Sequence, residues 1–269
     1  MAARSRLVLA GIASRGVRKL LKNPPKALSP IVTPLLFFVA FAGALSALEG
    51  TQGFGYYDYT AFQFVIVLFT AAMFVGAFTA LDIAIDYQSG MGNRLMVSSP
   101  WRPAIVSGYL IVALGHAAVT FVAVWAVALA FGMPVRGGAL DIAGLLALGF
   151  LLNLITTLYG AGIALRFQST AAGVLILIPV FIVTFTTPVF SPRDDLDGWL
   201  HAAASVNPLT PLVEAGRGFL ADDPVSVGLA FATAGALVIA FSVWAALGMR
   251  RAEQGPSARP RRRRRRRGA

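Results

Sequence analysis

The sequence predicts an all-α polytopic membrane protein: six transmembrane helices, an N-terminal interfacial helix, and a re-entrant external helical hairpin after span five. Three observations predict it. Of the 269 residues, 57% are hydrophobic and 13% charged, whereas a soluble domain carries about 25% charged residues; the mean hydropathy is +0.72. Six apolar stretches, at 31–48, 60–81, 104–132, 142–165, 170–190 and 225–248, contain no Lys, Arg, Asp or Glu. Each comes close to or exceeds the roughly 20 residues that a helix needs to cross a bilayer core. Finally, the basic residues fall on alternate inter-span segments, as they do in membrane proteins whose positive loops stay inside.

The same composition excludes other classes. A disordered chain lacks this much apolar surface. With no cysteine there is no disulfide framework, thiolate metal site or Cys nucleophile. The two histidines, His116 and His201, are too far apart in sequence to begin a metal centre. The first stretch is not read as a cleaved signal: its apolar run is longer than the usual 7–15 or so residues, and a long basic segment precedes it.

Residues 1–29 are basic and partly amphipathic. Leu7, Leu9, Ile12, Val17, Leu20 and Leu21 mix with Arg15, Arg18, Lys19 and Lys22, and Asn23-Pro24-Pro25 stops the helix. Such a segment lies along the inner leaflet, with cations among anionic head groups; the residues also fit a plain solvated flank. With a cytoplasmic N-terminus, 20 of the 23 basic residues lie inside, leaving Arg136, Arg193 and Arg217 outside. Both termini are therefore expected to be cytoplasmic, in the cell inner (plasma) membrane. Tyr56, Tyr57 and Tyr59 are then placed at the outer interface and Trp101 at the inner one.

The 30–248 segment holds the six spans. Between spans two and three, Gly90 and Gly92 allow a bend, Arg94, Leu95 and Met96 form a short exposed apolar tip, and Pro100 closes it. Asp82 and Asp86, four apart, share one face at the end of span two. Leu95 and Met96 call for a protein partner or the lipid interface, although the loop also reads as a simple connector. After span five, residues 199–206 and 208–220 form two apolar pieces too short to span, separated at Asn207-Pro208, with Trp199 opening the first. Half-length apolar helices of this kind read as re-entrant. Glu214 and Arg217 are three apart and can pair on one helix face. Pro179 and Pro188 in span five remove backbone donors and seed kinks. Residues 249–269 read as a disordered tail ending in seven adjacent arginines, 261–267. The tail fits attraction to anionic lipid and equally a plain solvated tail, and no specific nucleic acid is expected.

Several familiar nucleotide-binding and catalytic motifs are missing. No Gly-x-x-x-x-Gly-Lys-[Ser/Thr] phosphate loop occurs, and the only lysines are Lys19, Lys22 and Lys26. There is no His-Glu-x-x-His and no Gly-x-Ser-x-Gly. Within the spans, His116, Asn153, Thr156 and Thr157 read as helix-packing groups. By elimination, any energy source lies on another polypeptide, and this chain is expected to be no enzyme and to bind no cofactor.

These features together resemble the membrane permease of type-2 ABC exporters, a family that includes drug- and antibiotic-resistance permeases and polysaccharide exporters. The resemblance rests on LLKNPPKALSPIVTPLLFFVAFAGAL leading into span one, LDIAIDYQSGMGNRLMVSSPWRPAIVSG after span two, TTPVFSPRDDLDGWLHAAASVNPLTPLVEAGRGFL after span five, and six spans with both ends inside. It covers almost the whole chain apart from the arginine tail. The resemblance implies a dimer with a second permease copy or paralogue, seated on cytoplasmic ATPase subunits that carry ATP and Mg. It implies ATPase coupling at Gly90, Gly92, Arg94, Leu95, Met96 and Pro100, and an external gate at Trp199, Asn207, Pro208, Glu214 and Arg217. The cargo it implies is hydrophobic and drug-like, or lipid-linked, with Phe37, Phe38, Phe41, Phe64, Phe69, Phe74 and Phe78 either on the pathway or facing lipid. The competing reading is an ion-coupled secondary transporter or channel acting without an ATPase.

Overall fold

The computed structural model describes residues 2–45, 56–98 and 101–253. The order is α1 (Ala2–Lys22), α2 (Pro24–Leu45), α3 (Tyr59–Gln88), α4 (Met91–Ser98), α5 (Pro103–Ala130), α6 (Ala139–Phe167), α7 (Gly173–Phe185), α8 (Gly198–Val206), α9 (Thr210–Ala221) and α10 (Val227–Glu253), with single 3-10 turns before α7 and α8. Among the described residues no strand occurs.

Helix α3 is the axle of the bundle. It is apolar on every face because every face is covered, by α2, α5, α6, α7 and α9 in turn. Its closest neighbour is α6. A Cβ on Gly76 would come within 2.8 Å of the Asn153 carbonyl oxygen and 2.9 Å of the Thr157 amide, so the backbones touch only because Gly76 has no side chain. Asn153 secures the crossing by donating to the Ala72 carbonyl at 3.0 Å, which makes it the helix-joining group its sequence position implied. Helix α10 is held on the far side of α6 by the same device: a Cβ on Gly248 would meet the Gly162 oxygen at 2.9 Å. Val119 and Val122 on α5, and Ile239 and Val243 on α10, point outward, as apolar side chains facing lipid do.

Among the described residues, five helices are long and apolar enough to cross a membrane: α2, α3, α5, α6 and α10. The predicted fifth stretch, 170–190, is helical only over Thr170–Phe185, and its last part turns away. The stop has a local cause. Pro188 disfavours helical geometry at Thr187, and the Thr184, Thr186 and Thr187 hydroxyls turn back to the carbonyls of Val180, Ile182 and Val183. Inside α7, Pro179 has no amide for the Leu175 carbonyl, and the Tyr159 hydroxyl of α6 donates to it at 2.7 Å.

The N-terminal helix forms as predicted. Helix α1 packs on α5, with Ile12 buried against Gly108 and Gly16 against Val112. Arg15 and Lys19 face carboxylates of α3. Its exposed residues include Leu7, Ser14, Val17, Arg18, Leu21 and Lys22. Helix α10 runs past residue 248 to Glu253, where Glu253 pairs with Arg102 at 2.9 Å. The arginine run 261–267 lies outside the described residues.

Candidate functional site

Two clusters of polar residues sit at opposite ends of the bundle. At the end holding α1 and α4, Asp82 and Asp86 project one turn apart from α3. Arg15 pairs with Asp86, which also accepts from the Tyr109 hydroxyl at 2.6 Å. Lys19 lies 2.9 Å from Asp82, which Lys26 of α2 also contacts. Burial alone would lower the Lys19 pKa, but the adjacent Asp82 carboxylate outweighs burial and raises it. His116 completes the cluster through a 2.9 Å contact of Nε2 with the Ala27 carbonyl oxygen. Three cations and two carboxylates thus tie α1, α2, α3 and α5 into one unit. Sequence reasoning paired Asp82 with Asp86 on one face but left their partners out. The matching four-residue spacing of Arg15 and Lys19 was the available signal.

The predicted coupling loop lies beside this cluster. Gly90 ends α3 with φ +79°, a left-handed conformation in which glycine is at home, and its amide bonds to the Tyr87 carbonyl at 3.1 Å. Gly92 is buried against the Tyr87 ring. Leu95 and Met96 are not the exposed tip: they are partly buried against a cluster that contains Ile12, Tyr87 and Ile105. The exposed face of α4 is instead Asn93, Arg94, Val97 and Ser98. A short amphipathic helix on this surface turns its larger apolar side chains inward, a choice the loop sequence alone leaves open. Pro100 lies outside the described residues.

At the opposite end, Asn207 is a junction. Its side-chain amide donates to the Val183 carbonyl at 2.7 Å and to the Thr186 and Thr187 hydroxyls, capping the end of α7. Its Oδ1 accepts from the Leu209 amide at 2.8 Å, which turns the chain into α9. Pro208, next to it, lines an apolar crevice with Pro179. Trp199 stands apart from these residues, 76% exposed.

Glu214 and Arg217 do not pair with each other. Glu214 faces Arg193 at 3.5 Å. Burial raises its pKa, and the Arg193 charge offsets part of that. Arg217 is buried; its Nε donates to the Phe62 carbonyl at 3.2 Å, and its guanidinium lies 3.3 Å from the centre of the Phe62 ring. Burial lowers its pKa to about 9, which still leaves it charged at neutral pH. The helix turn does bring positions three apart together, but Arg217 points into α3 while Glu214 faces the segment before α8. The Tyr56 hydroxyl donates to the Arg217 carbonyl at 2.7 Å, and the Tyr57 hydroxyl lies 3.0 Å from the carbonyls of Pro134 and Leu220. The tyrosines expected at an interface thus also fasten α9 to the start of α3 and to the α5–α6 loop.

Between α2, α3 and α7 lies a crevice walled by Phe37, Phe41, Phe74, Phe181 and Phe185, with Gln63, Thr70 and Thr184 as its polar groups. Of the other phenylalanines singled out in the sequence, Phe38, Phe64 and Phe69 are buried in the core, and Phe78 is partly buried. Among the described residues, no group of three or more His, Asp or Glu side chains gathers to hold a metal ion.

Comparison with known proteins assigns the chain. The ABC-2 type transporter family profile matches residues 9–220, from α1 through α9. The chain is also 24% identical over 194 residues to the daunorubicin resistance ABC transporter permease protein DrrB1 of Streptomyces coeruleorubidus, an alignment that covers 71% of this chain and 65% of the length of that relative. With its apolar spanning helices and a family match over most of its length, the chain is a multi-pass membrane protein that belongs to the ABC-2 type transporter family.

Proposed function

We propose that this chain is the permease subunit of an ATP-driven exporter in the cell inner (plasma) membrane, with both termini cytoplasmic. It pairs with a second permease copy or paralogue and takes its motion from separate cytoplasmic ATPase subunits that carry ATP and Mg. The observation that carries this reading is the family match over residues 9–220. The basic residues gathered on one side of the chain support the orientation.

In this reading α1 and α4 form the coupling surface. Their exposed residues, Arg18, Leu21, Arg94 and Val97, rest on the ATPase. The Asp82–Asp86 cluster conveys displacement of α1 to α3, because a rigid body of paired charges moves as a unit. Helices α8 and α9 act as a re-entrant external gate, with Asn207 linking them to α7. The crevice walled by Phe37, Phe41, Phe74, Phe181 and Phe185 supports a hydrophobic drug-like or lipid-linked cargo, in keeping with the drug resistance named for the relative.

The test is reconstitution. Vesicles holding the permease with its ATPase should accumulate a fluorescent hydrophobic amine when ATP is supplied, and vesicles with the permease alone should not. Concentrative uptake by the permease alone, driven by an ion gradient, would overturn the proposal.

A further inference from the structure

The end of the bundle holding Arg217 contains a cavity of about 510 Å³, within the range of small-molecule sites, about 300–1,000 Å³. Three helices begin around it: α3 at Tyr59, α6 at Ala139 and α10 at Val227. The cavity therefore lies at the depth where spanning helices enter the bilayer, with the starts of three helices near it and the C-terminal end of α9, at Gly218 and Ala221, on its wall. Tyr56 and Tyr57 form one wall. Their rings are 4.7 Å apart, and Tyr56 lies 5.5 Å from Phe62. A guanidinium stands at each end of this row of rings, Arg136 over Tyr57 at 4.2 Å and Arg217 over Phe62 at 3.3 Å.

The charges lining the cavity divide into two groups. Arg193 is engaged by Glu214 and Asp194. Among the described residues, Arg136 and Arg217 have no carboxylate partner and Asp223 has no cationic one, yet all three line the same cavity. Arg217 is buried and held by carbonyls, so it contributes field, not a direct contact. Arg136 and Asp223 are exposed and can touch a ligand. What complements one exposed cation and one exposed anion at a bilayer edge, in a lining whose three arginines balance three carboxylates, is a zwitterion: a phosphate diester that also carries a protonated amine.

We propose that this cavity binds the head group of an aminophospholipid, its phosphate at Arg136 and its ammonium at Asp223. The site depends on this end of the bundle lying at a membrane surface. It does not depend on which leaflet that is, on the cargo, or on the ATPase, so its test is independent of transport. A primary ammonium donates hydrogen bonds to Asp223 that a trimethylated choline cannot, and phosphatidylglycerol offers no cation there.

The experiment is native mass spectrometry of the full chain in mild detergent with an equimolar mixture of phosphatidylethanolamine, phosphatidylglycerol and phosphatidylcholine bearing identical acyl chains. Bound phosphatidylethanolamine should exceed each of the others by about tenfold, the discrimination expected of one charge-assisted contact. Arg136→Gln should reduce binding of all three lipids. Asp223→Asn should erase the preference while phosphate-dependent binding persists, and Asp223→Glu should restore it. Both positions are exposed, so the variants should melt with the parent protein. Glycerophosphoethanolamine separates the two sources of this chemistry: displacement of the lipid shows that the head group alone is read, and resistance to displacement with the preference intact shows that the site takes the lipid form. Equal retention of the three lipids, or a preference unchanged in Asp223→Asn, would overturn the proposal.

Discussion

The Tyr159 hydroxyl donates to the Leu175 carbonyl at 2.7 Å, filling the place of the amide that Pro179, four residues on, does not have. The same tyrosine packs edge-on against Phe241 and accepts at its carbonyl from Trp244 Nε1 at 3.1 Å. One residue of α6 therefore holds both the weakened turn of α7 and the outer helix α10. Removing the hydroxyl by Tyr159→Phe should destabilise the protein by about 1 kcal/mol, because a freed carbonyl is left in apolar surroundings. In a Pro179→Ala background, where the backbone bond can reform, the same change should cost little. Thermal melting of the single and double variants in detergent measures the coupling, and equal losses in both backgrounds would show that the hydroxyl does not serve the proline site.

Charge at the α1–α3 contact should be specific to position. Asp86→Asn removes the partner of Arg15 and weakens the Tyr109 bond, so α1 should loosen by about 1–3 kcal/mol. Limited trypsin cleavage after Arg15 and Lys19 should accelerate. Swapping the pair, Asp86→Arg with Arg15→Asp, should recover part of the protection. A cleavage rate unchanged in Asp86→Asn would mean that α1 is held by its apolar contacts with α5 alone.

On α4, Arg94 and Val97 are exposed, and the proposed ATPase contact rests on them. Val97→Asp with Arg94→Glu should reduce ATPase co-purification and leave the melting temperature in place. Leu95→Asp should instead lower the melting temperature, by about 1–3 kcal/mol in stability, because it puts a charge into a packed cluster. Full retention of the ATPase by the Val97/Arg94 variant would remove α4 from the coupling surface.

The ion pair at the opposite end involves Arg193. Glu214→Arg with Arg193→Glu should behave close to the parent in transport. Glu214→Arg with Arg217→Glu should fail, because a carboxylate at 217 would face the carbonyl oxygens of Phe62 and Val189. Rescue by the 217 swap and not by the 193 swap would reverse the pairing assigned here.

At the central crossing, Gly76→Ala would place a methyl 2.8 Å from the Asn153 oxygen and 2.9 Å from the Thr157 amide. Because these are backbone atoms, α3 and α6 must separate, at a cost of about 1–3 kcal/mol. Unchanged thermal unfolding in that variant would indicate that the crossing yields more easily than its spacing implies.

The sequence by itself determined the class of the protein: charge-free apolar runs can be satisfied only in lipid, and the bias of basic residues separates its two sides. It also located the N-terminal helix, the breaks at Asn207-Pro208 and in span five, and the carboxylate pair on α3, because hydropathy, proline and four-residue spacing are properties of neighbouring positions. The tertiary structure alone decided which groups meet. Arg15 finds Asp86 across 71 positions and Tyr56 finds Arg217 across 161, distances over which no local pattern carries information. It also shortened α7 and gave Glu214 to Arg193, since the end of a helix and the direction of a side chain depend on what packs beside them.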